Sequence, residues 1–438
     1  MVIVFALVAL LVLSVLVAGN WWLWRRLFRD TTRAPGLVRR AGVVVIAGGW
    51  ALTVGALVAE RSGAPFWLQQ VLAWPGFLWL ALAMYLLLGV LAGEVVRPLL
   101  SRRLARRART QEAVRESVPE TEAVPEPMPV PAGASAAGPP EPESAESQPP
   151  PPASGPPSAP DTTGPTRRLF VSRVLAGAAA TAAVATVGYG TYGVLNGPKV
   201  KRVTVPLAKL PRAAHGFRIA VVSDIHLGPV LGRGFAQKVV DTINGTQPDL
   251  IAVVGDLVDG SVKDLGPAAA PLAGLRARHG AYFVTGNHEY FSGAEQWVEE
   301  VRRLGLRPLE NARTELPHFD LAGVNDVAGE SEGQGPDFAK ALGDRDRARA
   351  CVLLAHQPVQ IHDAVDHGVD LQLSGHTHGG QLWPGNLVAE LANPTLAGLE
   401  RYGDTQLYVS RGAGAWGPPT RVGAESDITV IELASRQA

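Results

Sequence analysis

The sequence lacks the cysteines from which disulfides and thiolate metal sites are built. Cys351 is the only cysteine among 438 residues, which excludes an intrachain disulfide and a cysteine-ligated metal cage. The chain also lacks a basic excess, because its 40 Lys and Arg residues are balanced by 40 Asp and Glu residues. A chain without net positive charge has little to hold a nucleic-acid backbone, so no nucleic-acid partner is expected.

Charged residues are scarce overall. They make up 18% of the chain, whereas hydrophobic residues make up 47%, and this balance favours membrane association. Histidine is missing from the N-terminal part, since all 10 histidines lie between His215 and His378. Imidazole chemistry is therefore predicted in one C-terminal domain.

Three long apolar runs occupy the N-terminal part of the chain. They cover residues 2–19, 41–59 and 71–93, and the first continues into a tryptophan cluster before an arginine pair. Because about 20 apolar residues span a bilayer, we predict three transmembrane helices in a membrane domain covering residues 1–109. A cleavable signal would have basic residues before its apolar run, and here they follow it, so the first run is interpreted as an anchor.

A segment rich in Pro, Ala, Ser and Glu follows at residues 110–166. It has almost no large apolar side chains to bury, so it is predicted to be a disordered linker. Arg167 and Arg168 then open an Ala- and Gly-rich apolar stretch. Residues 167–195 are predicted to form a fourth transmembrane helix. The alternative is a twin-arginine-like export segment, because an arginine pair precedes a weakly apolar run.

Arginine residues are concentrated in the first loop and after the third predicted span, whereas the second loop contains only Arg61. Because arginine-rich flanks stay in the cytoplasm, both segments are expected inside. A fourth span would then deliver the C-terminal domain to the extracytoplasmic side of the cell membrane. We therefore predict a multi-pass membrane protein with this orientation, although Lys199, Lys201 and Arg202 argue against it.

Short β-rich runs alternate with amphipathic segments in the C-terminal half, which indicates an α/β domain covering residues 200–438. Two late runs, residues 406–410 and 428–433, are predicted to close a second sheet in antiparallel fashion. A helix that opens at Ser292 is predicted from a capping box with Glu295. The earlier buried strands are predicted at residues 217–222, 250–254, 281–285, 351–355 and 371–373.

Polar clusters follow these strands at their C-terminal ends, where open α/β sheets gather ligands. Imidazole and carboxylate groups together suit Zn, Mn or Fe and differ from the all-oxygen ligands of calcium. A P-loop sequence is absent, so nucleoside-triphosphatase chemistry is not supported. The clusters supply, in chain order, Asp224, His226, Asp256, Asp259, Asn287, His288, His356, His376 and His378.

In chain order the clusters form the motifs D-x-H, GDxxD, GNHE, a single His and GHTH. These ordered motifs resemble those of the calcineurin-like metallophosphoesterase family, and they look most like its membrane-associated or exported bacterial branch. The resemblance covers roughly residues 218–433 and implies an α/β sandwich of two packed sheets flanked by helices. It also implies two divalent metal ions. The implied ligands are Asp224, His226 and His378 for one ion, Asn287, His356 and His376 for the other, and Asp256 as a bridge between them.

The same resemblance implies that His288 is the histidine beside the scissile phosphate that does not bind metal, and that Asp259 orients it. The expected reaction is hydrolysis of a phosphomonoester or phosphodiester by a hydroxide that bridges the two ions, with His288 protonating the leaving group. A lipid-linked or cell-envelope substrate is expected from the membrane location. The alternative is a membrane-tethered metal-binding scaffold or sensor without turnover.

Two further features have two interpretations each. Glu289 is expected either to support a ligand or to cap the segment that follows it. A group of apolar residues is expected either to pack as a loop or to form a lip that admits a lipid-bearing phosphoester. The group consists of Leu382, Trp383 and Pro384, followed by Leu387, Val388 and Leu391. The histidines outside the motifs are interpreted as surface or turn residues, namely His215, His279, His318, His362 and His367.

Overall fold

The structure is a computed structural model that describes residues 2–116 and 166–436. Four long helices precede the C-terminal domain. They are α1 (Val2–Trp24), α2 (Leu37–Arg61), α3 (Phe66–Glu116) and α4 (Arg167–Asn196). Within the described residues, α2, α3 and α4 are long and apolar enough to cross a membrane. Each of the four helices contains one of the predicted apolar runs.

The predicted linker falls largely outside the described residues, but its start needs a correction. Helix α3 continues to Glu116, so the first seven residues of the predicted linker, 110–116, are helical. The sequence from Thr110 to Glu116 contains neither proline nor glycine, so nothing in it interrupts the helix. The first proline of the low-complexity segment is Pro119.

Helices α2 and α3 approach each other closely through small residues. A side chain at Gly49 would collide with the ring of Trp79, and one at Gly76 would meet the backbone oxygen of Leu52. The Thr53 hydroxyl donates a hydrogen bond of 2.7 Å to the Gly76 carbonyl. Small residues and hydroxyl hydrogen bonds of this kind are typical of helix contacts in membranes.

The C-terminal domain contains two six-stranded sheets. The first has the order β1-β12-β2-β3-β4-β5 and the second the order β10-β11-β9-β8-β7-β6. The first-sheet strands are β1 (Lys199–Leu207), β2 (Phe217–Val222), β3 (Leu250–Val254), β4 (Ala281–Val284), β5 (Arg307–Pro308) and β12 (Asp427–Ser435). The second-sheet strands are β6 (Ala312–Glu315), β7 (Phe319–Gly323), β8 (Ala350–Leu354), β9 (Leu371–Ser374), β10 (Gly398–Tyr402) and β11 (Thr405–Val409).

Helices flank both sheets, and three apolar layers result. One layer lies between the sheets and includes Ile219, Tyr282 and Phe319; the other two lie between each sheet and its helices. The predicted α/β sandwich is therefore confirmed. The helices are α5 (Arg233–Gly245), α6 (Val262–Ala269), α7 (Asn287–Ser292), α8 (Ala294–Arg303), α9 (Phe338–Leu342), α10 (Ile361–Asp366) and α11 (Gly385–Ala392).

The predicted pairing of the two late strands is wrong. Strand β11 lies in the second sheet, parallel to β9, whereas β12 lies in the first sheet, antiparallel to β2 and parallel to β1. Because β12 is buried along most of its length, it fits a central position with a partner on each edge. The connecting loop, residues 410–426, therefore crosses from one sheet to the other.

The predicted helix start at Ser292 is also wrong. Helix α7 ends at Ser292, and α8 begins at Ala294 after Gly293 adopts a left-handed conformation with φ of 97°. The Ser292 hydroxyl accepts a hydrogen bond of 3.0 Å from the Gly260 amide instead of capping a helix. The capping pair lies one segment earlier, where the Glu289 carboxylate accepts from the Gly286 amide.

Candidate metal centre

The predicted site residues gather where the two sheets present the carboxyl ends of their parallel strands. Each cluster begins within a few residues of a strand end, so the sandwich converts distant sequence motifs into one crevice. Asp224 and His226 follow β2, Asp256 and Asp259 follow β3, Asn287 and His288 open α7 after β4, His356 follows β8, and His376 and His378 follow β9.

The backbone at this crevice is strained. Eight described residues other than glycine have positive φ, and five of them belong to the predicted site. A positive φ is costly for a residue with a side chain and persists only where the surroundings impose it. The five are Asp224 (50°), His226 (49°), Asp256 (51°), His376 (74°) and His378 (52°).

Asp224, His226 and His378 form the first group of side chains that could hold a metal ion. The Nε2 atoms of the two histidines lie 3.0 Å apart, and His378 Nε2 lies 3.5 Å from Asp224 Oδ1. Burial, together with the nearby His226 and Arg421, lowers the pKa of His378 well below its usual value. The neutral imidazole that results is the form that binds metals.

Asp256, His356 and His376 form the second group, and Asn287 adjoins it. A third group, His226, Asp259 and His288, shares His226 with the first. His356 Nδ1 donates to the Val254 carbonyl at 2.9 Å, which leaves its buried Nε2 without a hydrogen-bond partner among the described residues. That atom lies 3.1 Å from Asp256 Oδ2. A buried ring nitrogen beside a buried carboxylate is the arrangement expected of two side chains that share a metal ion.

His376 and Asn287 complete this side of the crevice. His376 Nδ1 lies 3.0 Å from Asn287 Oδ1. Burial and the charge of His356 lower the pKa of His376 to about 4, so this ring is also neutral near pH 7. The donor set of two imidazoles, a carboxylate and an amide oxygen fits a divalent transition metal.

Asp259 holds two histidines at once. Its Oδ1 lies 2.8 Å from His226 Nδ1 and 2.7 Å from His288 Nδ1. Burial alone would raise the pKa of Asp259, but the charges and hydrogen bonds of the two histidines outweigh it and lower the pKa to about 2. The carboxylate therefore fixes both rings with their Nδ1 atoms as donors, so that both Nε2 atoms face the crevice.

Glu289 contacts the backbone of Asp256, and its hydrogen bonds support both interpretations, as a support for a ligand and as a helix cap. Its fully buried carboxylate accepts hydrogen bonds from the amides of Gly286 at 2.6 Å, Leu257 at 2.7 Å and Asp256 at 2.9 Å. Burial and the nearby Asp256 raise its pKa to about 7. Glu289 thus caps α7 and also holds the strained backbone at Asp256.

Sequence reasoning missed Arg421, which lies in the loop that crosses between the sheets. Its buried guanidinium lies 3.1 Å from His378 Nδ1 and donates to the His378 carbonyl at 3.0 Å. It also donates to the Gly414 carbonyl at 2.6 Å. No motif marks this arginine in the sequence, because its contact with His378 depends on the path of the crossing loop.

Two aromatic residues near the crevice were also missed. The rings of Phe291 and Trp416 each lie 5.6 Å from the ring of His288. Both side chains are largely exposed, so they border the open side of the site. Large exposed aromatics beside a polar crevice are a signal of binding that becomes visible only once the fold is known.

The membrane helices pack directly on the catalytic domain. The Tyr85 hydroxyl donates to the Trp383 carbonyl at 2.9 Å, and the hydroxyls of Thr191 and Thr420 lie 2.7 Å apart. Leu382 packs into the apolar cluster of α1 to α4. Leu382 therefore packs on these helices, as the first interpretation expects, whereas Trp383, Leu387, Val388 and Leu391 are exposed. Each of the two interpretations thus fits part of the segment.

Comparison with known proteins agrees with this geometry. Residues 217–380 match the family model described as calcineurin-like phosphoesterase. A Danio rerio protein named "Transmembrane protein with metallophosphoesterase domain" is 38% identical over 269 residues, which cover 58% of this chain and 62% of that protein. The match thus spans less than two thirds of that relative.

Bacterial relatives are covered more fully. An uncharacterized metallophosphoesterase of Helicobacter pylori is 38% identical over 57% of this chain and 68% of its own length. One from Aquifex aeolicus is 33% identical over 54% of this chain and 92% of its own length. The transmembrane name of the animal relative, together with α2, α3 and α4, supports membrane association. From its motifs, its fold and these relatives, the chain belongs to the calcineurin-like metallophosphoesterase family.

Proposed function

We propose that this chain is a membrane-anchored phosphoester hydrolase that works with two divalent metal ions. The observation that carries the proposal is the position of Asp256 between the two groups of candidate ligands. Its Oδ2 lies 3.1 Å from His356 Nε2 on one side and 3.9 Å from His226 Nε2 on the other. A carboxylate so placed can bridge two cations.

The residues proposed as ligands fit Mn, Fe or Zn. Asp224, His226 and His378 would hold one ion, and Asn287, His356 and His376 the other, with Asp256 shared. Histidine binds a metal ion as the neutral imidazole and aspartate as the carboxylate. Burial alone would lower the pKa of His356, but the neighbouring Asp256 raises it well above its usual value, so binding of this ion would release a proton from His356. When bound, two such ions supply Lewis acidity and an activated water for attack on phosphorus.

His288 is proposed to move the proton. Its Nδ1 is held by Asp259, and its Nε2 faces the crevice, 4.0 Å from Asp256 Oδ2. Burial alone would lower the pKa of His288, but the hydrogen bond to Asp259 and the charge of Asp256 outweigh it and raise the pKa to about 9. His288 is therefore protonated near pH 7 and able to donate to a leaving oxygen.

The domain organisation is part of the proposal. The membrane domain (residues 1–109), the linker from 110 and the helix at 167–195 would anchor the catalytic domain (residues 200–438) on the extracytoplasmic side. Helix α4 ends at Asn196 and β1 begins at Lys199, so the catalytic domain starts directly at the end of a candidate span. A lipid-linked or cell-envelope phosphoester suits this placement.

The test is hydrolysis of bis(p-nitrophenyl) phosphate by the full-length protein in detergent with added Mn²⁺. We expect Asp256→Ala to lose activity to background. His288→Ala should lose up to about 10²–10⁴-fold on an alkyl phosphoester, the usual contribution of a proton donor, and less on bis(p-nitrophenyl) phosphate, because p-nitrophenolate leaves as a stable anion. His362→Ala is the matched control, because His362 is exposed and lies outside the motifs. A protein that binds the ions but leaves the ester intact would be the scaffold or sensor instead.

A further inference from the structure

A cavity of about 200 Å³ lies beside His226 and Asp259. One wall belongs to the catalytic domain and consists of residues 228–231, which follow His226, and residues 415–418 of the crossing loop. The opposite wall belongs to the membrane helices. It is formed by Leu57 and Glu60 of α2 and by Phe77 and Leu80 of α3.

The helical wall is mainly apolar, and it packs against the catalytic domain. Phe77 is buried, and Val230 of the catalytic domain packs against its cluster. Leu57 is 42% exposed on the surface of α2, and its neighbour Val58 is 59% exposed. The apolar side of the cavity is thus continuous with the apolar surface that α2 would present to lipid.

Glu60, near the end of α2, lines the same cavity as His226 and Asp259. Its side chain is half-buried, so this end of α2 faces the candidate metal centre. The helix therefore contributes to the site as well as to anchoring.

We propose that α2 and α3 form part of the substrate site, and that the substrate is an amphiphilic phosphoester with a hydrocarbon chain. The chain would lie against Leu57, Phe77 and Leu80 while the phosphate reaches His288. An apolar wall stabilises a hydrocarbon chain by removing it from water, but it provides no hydrogen bond or charge to a soluble, charged group. This inference rests on the proposed hydrolase function.

The inference is tested with two diesters that share a p-nitrophenolate leaving group and differ only in an ethyl or a dodecyl chain. The full-length protein is assayed in lipid nanodiscs with Mn²⁺, and kcat/KM is measured for both esters. Leu57→Gln introduces a polar group into the cavity wall. Val58→Gln is the matched control, since it makes the same change one residue away on the lipid-facing surface.

We expect Leu57→Gln to reduce the preference for the dodecyl ester about tenfold, as expected when an apolar pocket loses contact with hydrocarbon. The readout is the ratio of kcat/KM for the dodecyl ester to kcat/KM for the ethyl ester, and Val58→Gln should keep the wild-type ratio. Because both variants are in the same lipid, partition of the substrate into the bilayer cancels in the comparison.

Two other outcomes are distinguishable. If the wild type hydrolyses the ethyl ester at least as well as the dodecyl ester, or if both variants keep the wild-type preference, the inference is overturned and the hydrolase stands. If the wild type hydrolyses neither ester, the proposed function itself fails.

A binding measurement on the wild type guards against misfolding of Leu57→Gln. A dodecyl phosphonate with a diazirine at the end of its chain should crosslink to the segment from Leu57 to Leu80, and excess unlabelled phosphonate should suppress the adducts. Adducts that are not suppressed, or that lie only on other helices, would contradict the inference.

Discussion

In this crevice, one side chain can fix the orientation of several others. Asp259 is not one of the proposed metal ligands, yet it fixes the rings of both His226 and His288. One of these is a proposed ligand and the other the proposed proton donor. A change at Asp259 therefore affects binding and proton transfer together.

Asp259→Asn should lower kcat/KM for bis(p-nitrophenyl) phosphate about 10–100-fold, the usual effect of losing a partner that orients a metal ligand. The Asn side chain carries no negative charge, so it would hold the rings of His226 and His288 less strongly than the Asp259 carboxylate does. Asp264→Asn is the control, because Asp264 hydrogen-bonds with Ser261 at the start of α6. Equal activity of the two variants would mean that Asp259 does not orient His288.

At the scale of elements, the crevice depends on close approach between α7 and the end of β3. Gly286 caps α7, and a side chain at this position would collide with the Asp256 carboxylate. The Glu289 carboxylate ties the same two segments together through three backbone amides. Gly286 is therefore needed, because a larger residue would not fit between α7 and the Asp256 carboxylate.

Gly286→Ala should reduce thermal stability, by about 1–3 kcal/mol as for other overpacked sites, and should lower metal content. Gly234→Ala is the matched control, since Gly234 lies in the first turn of α5 with no atom within 4 Å of an added side chain. This control should be as stable as wild type or more so. Thermal unfolding followed by tryptophan fluorescence compares the two, and an unchanged midpoint for Gly286→Ala would count against the packing argument.

The elements that sequence reasoning located well are the buried ones. Strands β2 and β3 have the predicted bounds, because strands buried on both faces consist of continuous apolar residues. The partners of β11 and β12 were predicted incorrectly, since an apolar strand does not encode which sheet it joins. The helix start predicted at Ser292 was wrong, because Gly293 adopts a left-handed conformation and α8 begins only after it.

The site residues also divide into those that the sequence predicted and those that it did not. Every predicted residue lies in the crevice, because ordered motifs at strand ends are brought together by the sandwich. Arg421 was not predictable, since its contact with His378 requires the crossing loop. Nor were Leu57 and Glu60, because a run of apolar residues in a membrane helix carries no sign of the domain that packs on it.

At the scale of the whole molecule, orientation decides which phosphoesters can reach the site. We expect the catalytic domain outside the cytoplasm, because the arginine-rich segments should remain inside. Spheroplasts treated with a membrane-impermeant maleimide should label Ser331→Cys in the catalytic domain and leave Ala34→Cys in the first loop unlabelled. Both positions are exposed, and the natural Cys351 is buried.

Labelling of both variants after lysis is the control for accessibility. The reverse pattern in spheroplasts, with Ala34→Cys labelled and Ser331→Cys protected, would place the catalytic domain in the cytoplasm. That result would leave the metal site intact and exclude extracytoplasmic substrates.

The most direct test of the account is the metal content of the full-length protein, purified without chelator and measured by elemental analysis. We predict two divalent ions per chain for the wild type and for His362→Ala, and fewer than two for Asp256→Ala, because Asp256 lies between both groups of ligands. Two ions per chain in Asp256→Ala, or none in the wild type after Mn²⁺ is added, would contradict the binuclear centre.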